Sequence, residues 1–318
     1  MEVFQVSDRP ASQDFYSVAG RLLFANSHDP ELRNLIVELF SGWLLNPVSF
    51  PDKSPDIRIN FIRAAEPRQI PRNLNYFDVA EGGRCYTEGA DFYLALGDAV
   101  VHLQHDNPVT VDVTLSELRG ARDPLLARVA SFAVCAGLRR FGLFDLHSAG
   151  VVDPASGQAV LIIGTSGSGK STLALQLAQS GWSYLSDDEL LLGLVDGKVE
   201  VRGFRSFFAI RTDDDTPFKH CFEPDEVLSS KRESHAVAGK LIFTGLSGET
   251  RSEIRKLNQA EAMTRLLRAC PWATYDVAVA GANLSVLSTL ARQAPAFDLK
   301  AGRDLLEPGS AASFIGQL

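Results

Sequence analysis

The segment AVLIIGTSGSGKSTLALQLAQSG, residues 159–181, constrains this chain more than any other. Ala159 to Ile163 is a short, wholly apolar run, the pattern of a strand buried on both faces at the centre of a sheet. A polar, glycine-rich stretch follows. Then Leu173, Ala174, Leu177 and Ala178 recur at the spacing of one helical face, with Gly181 as a stop. The loop between strand and helix carries Gly164-x4-Gly169-Lys170-Ser171, the Walker A spacing.

The residue types answer to the chemistry of an anion. Gly164, Gly167 and Gly169 let the backbone curl so that successive N–H groups point at phosphate oxygens. The helix amino terminus adds its positive end. Lys170 brings a cation to the outer phosphates, and the Ser171 hydroxyl can ligate Mg²⁺. The whole loop (Gly164, Thr165, Ser166, Gly167, Ser168, Gly169, Lys170, Ser171 and Thr172) therefore reads as nucleotide-binding, with ATP and Mg²⁺ as its expected ligands.

The rest of the chain sets limits on partners. A net charge of −8 argues against nonspecific binding to nucleic acid, which needs lysine and arginine to displace counterions. Cys85, Cys135, Cys221 and Cys270 form no CxxC pair, so neither a disulfide framework nor a structural zinc site is expected, and a reducing compartment fits. The opening residues lack the basic-then-apolar order of a signal peptide, and no run reaches the ~18 apolar residues of a membrane span. The expectation is a cytoplasmic protein with no membrane partner.

Residues 1–122 read as a β-rich α+β domain carrying one helix, Glu31 to Leu44, with a role in substrate recognition or assembly. Asp123 as an N-cap and Pro124 at the first helical position open the second domain, residues 123–318, in which strands and helices alternate as in an α/β core.

Within that domain, WSYLSDDELLL sets Asp187 and Asp188 on the strand after the loop helix, 17 and 18 residues past Lys170. That is too close for a transporter-type ATPase with a distant carboxylate; LSGET, Leu246 to Thr250, reads as a plain loop between two strands. HSAGVVDPASGQAVLIIG reads as a hairpin, and pairing Asp153 with Gln158 sets His147 opposite Gly164, beside the phosphates. A second hairpin turning at Asp196-Gly197 would set Arg205 opposite Asp188, as a candidate phosphate or substrate clamp. TDDDT, Thr212 to Thr216, reads as a solvated acidic turn, and His102 and His105 lack the partners of a zinc site.

His147, the loop Gly164 to Thr172 and Ser186-Asp187-Asp188, in this order and spacing, resemble the catalytic domain of HPr kinase/phosphorylase over roughly residues 143–205. The resemblance implies a phosphoenolpyruvate-carboxykinase-like P-loop core and transfer of the γ-phosphoryl group to a serine hydroxyl of a protein or peptide. It also implies Asp188 as the base, with Asp187 and Ser171 on the metal side. The residues alone do not separate the two aspartates, and three classes stay open: a kinase, a nucleotide-gated regulatory module, and an ATPase that drives a partner. The acceptor's identity is beyond the sequence, which also leaves room for a homo-oligomer.

Overall fold

The computed structural model of the chain describes residues 14–49, 51–66, 68–79, 82–118, 120, 123–205, 208–210, 220–222 and 231–318. The acidic turn Thr212 to Thr216 lies outside these. The architecture is mixed α/β, dominated by large sheets, and the chain divides into two compact units, residues 1–39 with 45–137 and residues 40–44 with 138–318. Among the described residues no helix is long and apolar enough to cross a membrane.

In the first unit the strands are β1 (Phe15–Val18), β2 (Arg21–Ser27), β3 (Asn46–Pro47), β4 (Ile57–Arg63), β5 (Asn75–Val79), β6 (Gly83–Glu88), β7 (Asp91–Leu96), β8 (Ala99–Gln104) and β9 (Val109–Leu115). They form one sheet in the order β3-β1-β2-β4-β9-β8-β7-β6-β5. Period-two alternation does the sorting: Val109, Val111 and Val113 are buried on β9, while Thr110 and Asp112 alternate with them. The helices are α1 (Pro30–Ser41) and α2 (Pro124–Arg139). His102 is buried on β8 and stacked on Tyr93 at 4.2 Å; burial is the main cause of its lowered pKa.

The division between units falls inside α2, after Gly137, and not ahead of the helix at residue 123 as the capping signals suggest. The reason is packing. Phe132 lies against Phe92 with ring centroids 5.6 Å apart, and Gly137 comes so near β4 that a Cβ there would meet Ile57 Cγ2 at 2.7 Å. A cap marks where a helix begins, not which sheet its apolar face covers.

The second unit contains β10 (Phe144–Leu146), β11 (Ser148–Val152), β12 (Ala159–Ile163), α3 (Lys170–Gln179), β13 (Ser183–Ser186), β14 (Leu190–Val195), β15 (Lys198–Gly203), β16 (Phe208–Ile210) and β17 (His220–Phe222). After these come β18 (His235–Leu246), β19 (Glu253–Leu257), α4 (Gln259–Ala269), α5 (Trp272–Tyr275), α6 (Ala280–Gln293), β20 (Ala296–Ala301) and α7 (Ser310–Gly316). Its sheet runs β10-β14-β15-β18-β12-β11-β13, with β20 also on β18 and β19 on β20. Among the strand pairs of this sheet in the described residues, β12–β18 and β18–β20 are parallel and the rest antiparallel, so the sheet is far more antiparallel than a simple strand–helix alternation implies.

Helices cover both faces of this sheet. Val160 and Ile162 of β12 join a core with Leu173, Ala174, Leu177 and Ala178 of α3. Ala159, Leu161 and Ile163 point the other way, into a core with Leu266 of α4 and Leu287 and Leu290 of α6. A strand buried on both faces cannot alternate polar with apolar, which is why AVLII is apolar throughout.

Candidate active site

The glycine-rich loop leaves β12 at Ile163 and enters α3 at Lys170. Gly167 (φ 79°) and Gly169 (φ 89°) occupy the left-handed region that other residues reach at a cost. Gly164 is required for a different reason: a Cβ there would stand 2.6 Å from Thr244 O and against Ser168 Oγ. Gly169 caps α3 without a side-chain hydrogen bond, so the first-turn N–H groups of the helix face the loop with no side-chain acceptor at the cap. Ser168 Oγ is buried and has no hydrogen-bond partner among the described residues.

Lys170 is only 6% exposed, and its ammonium group is held by Gly164 O at 2.9 Å, Thr165 O at 3.1 Å and His147 Nε2 at 3.1 Å. An ammonium group donates and never accepts. His147 Nε2 therefore accepts, and the ring proton belongs on Nδ1, which faces Asp188 Oδ1 at 3.5 Å. The topology explains the meeting. β11 lies between β12 and β13 and runs antiparallel to both, so its start adjoins the ends of both neighbours, Ser148 opposite Ile163 and Gly150 opposite Ser186. Ser148 pairs with Ile163, and the ladder carries His147 to the level of Gly164, the register the sequence indicates.

Asp187 and Asp188 follow the end of β13 at Ser186. On a continuing strand they would point to opposite faces. The chain instead turns, with Asp188 at φ 66°, Asp188 N donating to Asp187 Oδ1 at 2.9 Å and Glu189 N donating to Asp187 O at 2.8 Å. Asp is among the few non-glycine residues that adopt this conformation readily. The turn separates the pair by environment. Asp187 is 1% exposed and accepts a hydrogen bond from Ser171 Oγ at 2.8 Å, whereas the Asp188 side chain is 41% exposed and faces His147.

Arg205 does not join them. The β14–β15 ladder has the expected register from Val195–Lys198 to Leu190–Gly203, but the turn at Asp188 then breaks it. The buried Ser186 hydroxyl accepts from Phe204 N at 3.1 Å and Arg205 N at 2.8 Å, so the chain around Arg205 is tied to Ser186 and not to Asp188. The Arg205 guanidinium pairs with Glu189 at 3.1 Å and lies over the Trp43 ring at 4.6 Å. It is a packing arginine, and extrapolating a regular ladder through a left-handed residue is what misplaces it.

A cavity of about 790 Å³ runs along the loop from Asp188 past Lys170, Ser171 and Thr172 to Leu246, Arg303 and Leu306. Sequence patterns do not pick out the last three, because they come from the distant ends of β18 and β20 and share no motif with the loop. The wall they form is tied together: Ser247 N donates to Ala301 O, Arg303 N to Glu249 O, and Ser252 Oγ to Asp304. The hydrogen bonds from Ser252 hold the Asp304 carboxyl below the usual carboxylate range.

Among solved structures the chain is similar to the Hpr(Ser) kinase/phosphatase from Coxiella burnetii, at 17% identity over 36% of this chain and 76% of that one, with a TM-score of 0.27. No protein-family model and no curated protein matches the chain. A likeness of that extent assigns no function.

Proposed function

We propose that the second unit is an ATP-dependent kinase of the HPr-kinase-like kind, with a phosphoenolpyruvate-carboxykinase-like P-loop core, transferring the γ-phosphoryl group to a hydroxyl, by resemblance a serine of a protein or peptide. One observation carries the reading: Lys170, His147 and Asp188 form a contact chain at the edge of a cavity floored by an uncapped helix terminus. A passive anion site needs the helix end and the lysine. It does not need an exposed carboxylate held against an imidazole.

The cavity volume falls within the range of about 300–1,000 Å³ that small-molecule sites occupy. Ser171 Oγ and Asp187 Oδ1, 2.8 Å apart, are the hard oxygen donors that suit Mg²⁺. A Mg²⁺ held there would offset the negative charge of the outer phosphates. Lys170 exchanges its loop carbonyls for phosphate oxygens and leaves His147 beside the transferring group. Asp188, exposed where an acceptor can approach, takes the hydroxyl proton, and Asp187, sealed behind Ser171, does not. Once Lys170 turns to phosphate, His147 Nε2 is open to a proton, and the ring so protonated donates from Nε2 to the phosphoryl oxygens as their charge redistributes.

The test is transfer of γ-labelled phosphate from ATP to candidate acceptor proteins and peptides. Acceptor-dependent labelling supports the kinase; phosphate release without an acceptor identifies an ATPase, and tight ATP binding with neither identifies a regulatory module.

A further inference from the structure

We infer that the end of the cavity farthest from Asp188 holds the base of the nucleotide against the apolar side chains of Leu246 and Leu306, and that it grips the base by its face with little reading of its edge. This rests on the glycine-rich loop being the phosphate cradle. The direction follows from the sheet order. His147 and Asp188 come from β11 and the end of β13, on one side of β12, so the reactive end of a polyphosphate lies there. Leu246 ends β18 and Leu306 follows β20, on the other side of β12. A nucleotide with its outer phosphate at Asp188 extends its nucleoside toward these two leucines.

Their exposure is the second observation. Leu246 is 67% exposed and Leu306 56%, and both line the same cavity as the loop. Leu246 also abuts the loop itself: a Cβ on Gly169 would meet Leu246 Cδ2 at 3.2 Å. Single exposed leucines are ordinary, but two that flank one cavity beside an anion cradle offer what a flat heteroaromatic ring needs.

The weak edge reading follows from the hydrogen bonds of the wall. A site that distinguishes a 6-amino from a 6-oxo purine needs free donors and acceptors at the ring edge. Here the amides of Ser247, Glu249, Gly302, Arg303 and Asp304 are engaged with Ala301 O, Ser247 Oγ, Ser252 Oγ, Glu249 O and Thr250 O. This end of the cavity is lined by the side chains of Leu246, Leu305 and Leu306, the charged Glu249 and Arg303, and the chain at Gly248, Ala301 and Gly302.

Equilibrium binding of ATP, GTP and inorganic tripolyphosphate, in Mg²⁺, to the 318-residue chain and to its Leu246→Ser and Leu306→Ser forms tests this. Both leucines are exposed, so neither substitution opens the core, and circular dichroism checks it. Wild type should bind ATP and GTP within about tenfold of each other, and each substitution should weaken both by about tenfold while leaving tripolyphosphate unchanged. Unchanged ATP affinity in both variants overturns the pocket, as does an equal loss for tripolyphosphate or an ATP preference above about a hundredfold. Tripolyphosphate binding as tightly as ATP to wild type also overturns the pocket but spares the phosphate cradle. Wild type that binds neither overturns the cradle as well.

Discussion

His147 Nε2 lies 3.1 Å from Lys170 Nζ, although 23 positions separate the two residues. The contact exists because β11 runs antiparallel between β12 and β13, which brings the start of one strand to the ends of two others. It links the group expected to grip phosphate to the groups expected to move a proton, and several consequences can be measured.

Lys170→Ala removes the only side-chain amine within hydrogen-bonding reach of Gly164 O and Thr165 O among the described residues. ATP affinity, measured by isothermal titration, should fall by about a hundredfold, the loss of a charge-assisted contact of roughly 2–3 kcal/mol. Full retention of binding would remove the loop from the site.

Asp188→Asn should abolish phosphoryl transfer and leave ATP affinity nearly intact, because Asp188 faces His147 and not Lys170. His147→Ala should slow transfer by about a hundredfold while binding persists, as loss of a transition-state donor does. Single-turnover rates with labelled ATP separate the two; near-normal transfer in Asp188→Asn would exclude it as the base.

Asp187→Asn should act through the metal. Asp187 is buried against Ser171, so the amide keeps the shape of the turn but weakens the hard-donor pair. The Mg²⁺ concentration for half-maximal turnover should rise by about tenfold or more, the effect of losing an anionic metal ligand. An unchanged Mg²⁺ dependence would confine Asp187 to holding the turn.

Arg205→Ala should destabilise the protein by about 2 kcal/mol without specific loss of ATP affinity, since the side chain is mostly buried between Glu189 and the Trp43 ring. Arg205→Lys should recover less than half of that, because an ammonium group does not stack as a guanidinium does. Thermal melts and ATP titration check both; a selective loss of ATP binding would restore Arg205 to the phosphate site.

Cys270 should resist alkylation in the folded protein. Burial, with Asp145 nearby, pushes its thiol up to about 12, so it stays protonated through the pH range of ordinary labelling. Its reaction with iodoacetamide at pH 8 should appear only on unfolding, and rapid labelling of the native chain would contradict its burial.

The parts of the site legible beforehand are those set by short-range geometry. The strand–glycine loop–helix unit is readable because φ > 0 positions need glycine and an interior strand needs continuous apolar residues. The His147–Gly164 register is readable because a tight hairpin fixes pairing by counting. The same counting fails at Arg205, where a single left-handed residue, Asp188, ends the regularity it assumes.

By itself, the sequence determined the strand–glycine loop–helix unit, its lysine and the strands that flank it, because each depends on neighbours a few residues away. Only the tertiary structure decided which aspartate is sealed and which is open, that α2 packs with the first sheet, and that Leu246 and Leu306 share a cavity with the loop. Those outcomes depend on which surfaces meet when distant segments pack, and side-chain burial is a property of the packed whole that no local pattern encodes.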